Sequence, residues 1–470
     1  MSDSAQTVPN DTAGGDAQPK LETFGYKQQL QRSMSLTDVV VFGIIYMVPL
    51  APLPVFGIVF NFSHGMAALV YLVAAVAMVF SALSYREMAR RYPVAGSVYS
   101  YVRLGLSNFV GFLAGWAILL DYLLLPALLS VFAAAAMVST FPATHAWMWI
   151  ILFVVIAAAI NLLGINMTSA MNKLFLAIQL IVLAIFIVGA LVALARGTVA
   201  LSLTPLYNGD GFSWGIVFGA IPIAALSFIG FDAISTLNEE ARGGGETVSR
   251  ATMIVLVAVT VLFVGQVYLA AIFVPAGTTF ADGDETNNAF YHISGDVVGH
   301  WFEVVVTLTS ALVAIFANSI ASQSTSSRLV FSMARDRCLP HFLAKVSSRK
   351  VPANALILIA CLSLVIGIVG SEQQGILTTL VTFGALTAYI LLHIAVIGSF
   401  GIRQRSRKIF LHWISPLIGT AVLVYALWSA DIHAKIVGCC WMVIGILLAV
   451  FFQLRHPDRM PQADEAVSPT

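Results

Sequence analysis

The sequence predicts an all-α integral membrane protein with twelve transmembrane helices, and three observations predict it. Of its 470 residues, 59% are hydrophobic and only 10% are charged, whereas soluble domains carry about 25% charged residues. Apolar runs of about 20 residues recur along the whole length, each enough to cross a hydrocarbon layer of about 30 Å. The basic residues are also sorted. With the amino terminus placed inside, all but Arg196 and Lys435 of the 24 lysines and arginines fall on the cytoplasmic side, as the positive-inside rule requires. One span too many or too few would flip every later loop and destroy this asymmetry.

The spans are expected at 36–60, 66–88, 108–138, 146–165, 171–195, 212–239, 251–275, 300–334, 353–371, 374–400, 410–430 and 435–454. Residues 1–35 are polar and read as a disordered cytoplasmic tail, with a second cytoplasmic tail at 456–470. No basic segment precedes a short apolar core and a small-residue cleavage site, so no cleaved signal peptide is expected. The four cysteines (Cys338, Cys361, Cys439 and Cys440) lack metal-site spacing and read as packing residues. A net charge of +1 gives no pointer to a nucleic-acid partner. No nucleotide loop, metal cluster or nucleophile–base set occurs among the spans, so neither an enzyme nor an ATP-driven pump is expected.

Span 1 carries Pro49, Pro52 and Pro54. Proline removes a backbone donor and clashes with the preceding turn, so a continuous helix is not expected there. Span 6 contains SFIGFDAISTLNEE (Ser227–Glu240), with Gly230 at the expected break and Asp232, Glu239 and Glu240 following. A charge at membrane depth costs about 2.5–3.5 kcal/mol on insertion scales, so such acids face protein or water. Interrupted helices at matching positions in two halves point to an inverted-repeat transporter whose site lies near the midplane. The halves are expected at 36–196 and 211–402, with two added helices at 409–455.

Span 3 holds one acid, Asp121, beside Tyr122 and one turn before Pro126. Neighbours on a helix point about 100° apart, so the two are not expected to face the same point: one is expected to line the path while the other bonds to a neighbouring helix. The stretch Pro275–Trp301 reads as the longest external loop, acidic through Asp282, Asp284, Glu285 and Asp296. Basic clusters at Ser84–Val102 and Ser327–Pro340 fit cytoplasmic segments that set topology or gate the inner mouth.

Three motifs together carry a family resemblance: YREMARRYPVAGSVYSY (Tyr85–Tyr101), SFIGFDAISTLNEE, and RLVFSMARDRCLP (Arg328–Pro340). The chain resembles the amino acid–polyamine–organocation transporters from about Leu36 to Arg405. With LLDYLLLP in span 3, it is most similar to the bacterial putrescine importers. That resemblance implies a LeuT-like fold of five plus five inverted helices, broken in helices 1 and 6. It also implies proton-driven import of a small amine across the inner membrane, with no cofactor.

The resemblance places Tyr122, Glu239 and Glu240 at positions implicated in polyamine handling, and Asp232 close to the substrate amine. Met47, Leu50, Ser227 and Gly230, at the two breaks, complete the expected substrate-binding set. Asp232 or Asp121 is the expected proton-coupling acid, because burial away from water disfavours a carboxylate's charge. The span 1 break, Met47 to Pro52, has no glycine and two missing amide donors. A substrate carboxylate finds few donors there, while free carbonyls beside prolines suit an ammonium.

Two departures affect the coupling ion and the substrate. Gln179 stands where some relatives carry a lysine in place of sodium, and Ser319, Ser322 and Thr325 offer hydroxyls to sodium. Leu226 stands where arginine-handling relatives carry a tryptophan. His64, His292, His300 and His393 are scattered and read as neither metal ligands nor a proton relay. The expected partners are a small amine or amino acid substrate and membrane lipid. The alternatives are a proton-coupled amino acid permease and a transport-incompetent sensor of the same solute.

Overall fold

The computed structural model describes residues 34–92, 98–164, 169–209, 211–239, 241–275, 277–335, 339–349 and 351–455. Within them every regular element is helical, apart from an isolated bridge between Met34 and Ala241. The chain opens with α1 (Leu36–Met47), a 3-10 turn (Leu53–Val55) and α2 (Phe56–Phe62). Then come α3 (Ala67–Arg91), the short α4 (Val98–Gly105), α5 (Asn108–Thr140), α6 (Ala146–Leu162) and α7 (Ser169–Ala195). Next, α8 (Trp214–Ala225) runs into 3-10 segments at Leu226–Phe228 and Phe231–Glu239. The second half holds α9 (Gly244–Ala271), α10 (Asp284–Val298), α11 (His300–Leu308) and, after a π-helical stretch at Thr309–Ile315, α12 (Phe316–Arg335). It closes with α13 (Ala353–Gly370), α14 (Gln374–Val396), α15 (Ser415–Ser429) and α16 (Ile432–Arg455), with π-helical stretches at Ile397–Arg403 and Phe410–Ile414.

Among the described residues, nine helical runs are long and apolar enough to cross a membrane, and four shorter apolar helices accompany them. The shorter ones are Leu36–Met47, Leu53–Phe62, Ala146–Leu162 and Trp214–Phe228. Three of these four flank the interruptions that the prolines of span 1 and Gly230 of span 6 predict. Two expected irregular stretches are instead helical in part. The acidic loop contains the 15-residue α10, and the segment joining spans 2 and 3 contains α4.

The local sequence explains the start of the first interrupted segment. Ser35 caps α1: its Oγ accepts the Asp38 amide at 3.3 Å and the Asp38 carboxylate accepts the Ser35 amide at 3.0 Å, a reciprocal capping box. At the other end, Val48 has φ 55°, a left-handed conformation rarely adopted by a β-branched residue. Here α1 stops and the prolines take over.

The core forms where α5 packs along α14 and where α3 packs along α9. Gly384 of α14 lies so close to α5 that a Cβ there would stand 2.5 Å from the Ala117 carbonyl oxygen. At one end of the α3–α9 pair, Arg90 pairs with Glu246, which also accepts Arg250 Nε at 3.0 Å. On the far side of α5, Trp116 and Trp441 stack at 4.5 Å and each indole donates to the other's carbonyl at 2.8 Å, fastening α16 to the bundle.

Candidate functional site

Both helix interruptions open onto one internal cavity, together with α5 and the segment running from the π-helical stretch into α12. The first break contributes Tyr46, Met47, Val48, Leu50, Ala51 and Pro54, and the second contributes Leu226, Ser227, Ile229, Gly230, Asp232 and Ala233. From α5 come Asp121, Tyr122, Leu125, Leu129 and Phe132. The remaining wall is Ala314, Ile315, Asn318, Ser322 and Thr325. The cavity has a volume of about 70 Å³, room for roughly five to seven waters at 10–15 Å³ each. That space suits a small solute.

The two breaks are fitted to each other. Gly230 has φ 118°, and a Cβ there would meet the Tyr46 ring at 2.9 Å. Only glycine adopts that conformation freely and lets the Tyr46 ring approach this closely. The turn is held by Asp232, whose Oδ1 accepts the Gly230 amide at 3.2 Å and the Tyr389 hydroxyl at 3.4 Å. Ser227 Oγ is hydrogen-bonded to the Tyr71 hydroxyl at 3.0 Å. Asp232 therefore both shapes the break and faces the cavity.

On α5, Pro126 has no amide to offer the Tyr122 carbonyl four residues earlier. Ser326 of α12 donates its hydroxyl to that carbonyl instead. This bond fastens α5 to α12 beside Thr325, on the cavity wall. Asp121 is only 3% exposed, and nothing among the described residues hydrogen-bonds its Oδ1. Asp232 is 8% exposed. Among the described residues, the lining thus holds two carboxylates and no lysine, arginine or histidine.

Seven of the nine expected site residues line this cavity: Met47, Leu50, Asp121, Tyr122, Ser227, Gly230 and Asp232. Glu240 and the Glu239 side chain lie outside the described residues. Two expectations are corrected. Asp121 and Tyr122 both line the same cavity, because its wall wraps far enough around α5 to take two adjacent side chains. Most carbonyls of the span 1 break are not left free. Those of Val48, Leu50 and Pro52 accept backbone amides, and that of Pro49 accepts Gln266 Nε2 at 3.0 Å. An ammonium in this cavity meets carboxylates first.

Several lining residues were not singled out from sequence. Asn318 lies four and seven residues before Ser322 and Thr325, so helical periodicity around those hydroxyls marks it. Tyr46, Leu125, Leu129 and Phe132 carried no separate signal, because an apolar or aromatic residue in a membrane helix reads the same whether it faces lipid or solute. Of the hydroxyls considered for sodium, Ser322 and Thr325 line the cavity, while Thr325 also bonds the Ala321 carbonyl at 2.9 Å. Ser319 is buried outside the lining, as is Gln179.

The amino acid permease family profile matches residues 33–461. This chain belongs to that family. The family is one of transporters, so the chain is a multi-pass membrane transporter of amines or amino acids and not an enzyme. It is 30% identical over 448 residues to the low-affinity putrescine importer PlaP of Escherichia coli (strain K12), covering 93% of this chain and 97% of that one. The branched-chain amino acid permease BcaP of Lactococcus lactis subsp. cremoris is 25% identical over 415 residues, 81% of this chain and 85% of the relative. The vacuolar cationic amino acid transporter 4 of Arabidopsis thaliana is 27% identical over 391 residues, 78% of this chain and 63% of the relative.

Proposed function

We propose that this permease imports a small organic amine, putrescine or a close relative, across the inner membrane by proton symport. One observation carries the reading: among the described residues, two buried carboxylates and no basic side chain line the cavity. A carboxylate buried without a partner is costly. A cation, or a proton and a cation, offsets that cost, whereas the α-carboxylate of an amino acid adds to the repulsion. The similarity to a putrescine importer along almost the whole chain supports the same substrate class.

The accompanying architecture is a LeuT-like inverted repeat of twelve spans with both termini cytoplasmic. Nine long apolar runs among the described residues, with three further segments built from the shorter apolar helices, support that count. Asp232 sits where it senses both solute and backbone, and it or Asp121 carries the coupled proton. The resemblance to the putrescine importers implicates Glu239 and Glu240 in handling the amine.

A proton-coupled amino acid permease is the second reading. It is favoured by the branched-chain relatives and by the apolar wall Leu125, Leu129 and Phe132. Competition against uptake of labelled putrescine into proteoliposomes separates the two. The amine reading expects unlabelled putrescine and cadaverine to block uptake while alanine and serine leave it unchanged. Absent putrescine uptake together with uptake of amino acids would overturn it.

A further inference from the structure

The polar floor of the cavity, with Asp121, Asp232, Asn318, Ser322 and Thr325, occupies only part of it. From Asp121 the lining continues along α5 through Leu125, Leu129 and Phe132. Steps of four, four and three residues keep these side chains on one helix face. At 1.5 Å per residue, Leu129 lies about 12 Å and Phe132 about 16 Å beyond Asp121 along the axis. Pro54 and Ile315 are among the other apolar residues of the lining. The arm therefore begins beside Tyr122 and a buried, unpartnered Asp121 carboxylate oxygen, and from Leu125 onward its α5 wall carries only apolar side chains.

The geometry points to this arm as a subsite for a hydrocarbon chain attached to the bound ammonium, with Leu125, Leu129 and Phe132 as specificity-determining residues. The proposal rests on the amine reading above and extends it to a second substrate class, the aliphatic monoamines. A short diamine places both ammoniums on the floor. A monoamine leaves one ammonium on the floor and buries its chain in the arm, gaining roughly fourfold in affinity for each buried methylene. A longer polyamine pushes a further ammonium against Leu129, where nothing replaces its water, and is rejected.

Thermal stabilisation of the purified full-length protein tests this, because at a fixed ligand concentration a ligand that binds the folded state raises the midpoint with the logarithm of its affinity. The probes are propylamine, butylamine, pentylamine, hexylamine, putrescine and spermidine, with glycine, alanine, valine and leucine alongside. Affinity is expected to climb roughly fourfold per methylene across the monoamines, and spermidine to bind at least about tenfold more weakly than putrescine. Leu129→Glu is expected to flatten the monoamine slope and to improve spermidine relative to hexylamine by about tenfold or more. The unliganded midpoint reports whether that variant folds. If it does not, Leu129→Gln, expected to flatten the slope alone, replaces it.

A flat monoamine series, equal binding of spermidine and putrescine, or a slope unmoved by the Leu129 variant would overturn the subsite. Binding of leucine with no amine bound would sink the amine reading instead. The subsite then stands or falls on whether Leu129→Glu abolishes the glycine-to-leucine slope.

Discussion

Asp232 serves two roles at once, and its variants separate them. Its carboxylate accepts the Gly230 amide and the Tyr389 hydroxyl while facing the cavity. Asp232→Asn keeps a carbonyl oxygen to accept those bonds but loses the exchangeable charge. The expected outcome is loss of gradient-driven accumulation with retained counterflow exchange of preloaded putrescine. Accumulation against a gradient by this variant would remove Asp232 from coupling and leave Asp121. Gly230 tests the backbone side of the same turn. With φ 118° and the Tyr46 ring 2.9 Å from any added Cβ, Gly230→Ala is expected to destabilise the fold by about 1–3 kcal/mol, read as a lowered unfolding midpoint. Asp121, Asp232 and Gly230 were all legible in the sequence, since a charge or a glycine within an apolar run stands out. Leu129 and Phe132 were not, because apolar residues in an apolar helix carry no mark of which face they line.

At the scale of elements, the proline in α5 and the serine in α12 form a matched pair. Pro126 frees the Tyr122 carbonyl and Ser326 takes it up. Ser326→Ala should leave that buried acceptor unpaired and cost about 1–3 kcal/mol. Pro126→Ala should return an amide to the same carbonyl and make the serine dispensable. The double variant is therefore expected to lose less stability than the two single changes summed, and strict additivity would contradict the pairing. The sequence announced the proline but not its partner, 200 residues away in the chain, because a hydroxyl in a membrane helix has several possible acceptors. The same ambiguity affected the span 1 break. Its prolines signalled an interruption, but Gln266 and the backbone turns that take up its carbonyls are products of tertiary packing. The π-helical stretch before α12 has no sequence signature at all, although it leads directly into the Asn318 side of the cavity.

At the scale of the molecule, hydrophobic runs and the sorting of basic residues carry most of the architecture, because a bilayer imposes span length and orientation on any chain that crosses it. Among the described residues a helix occurs within each stretch where a span was expected, and helices also occur between spans, as with α10. Loop conformation is set by packing rather than by the bilayer. The proposed orientation has a direct readout. With the native cysteines replaced, Thr198→Cys is expected to react with an impermeant maleimide on intact cells, and Gln404→Cys only after permeabilisation. The reverse pattern would invert the topology.

The central claim is that the two-carboxylate cavity couples a proton to an amine. Uptake of labelled putrescine into proteoliposomes, with an imposed inward proton gradient and no sodium, tests it most directly. The account predicts accumulation that collapses when a protonophore dissipates the gradient. Accumulation that ignores the proton gradient and requires sodium, or no movement of putrescine in either condition, would contradict it.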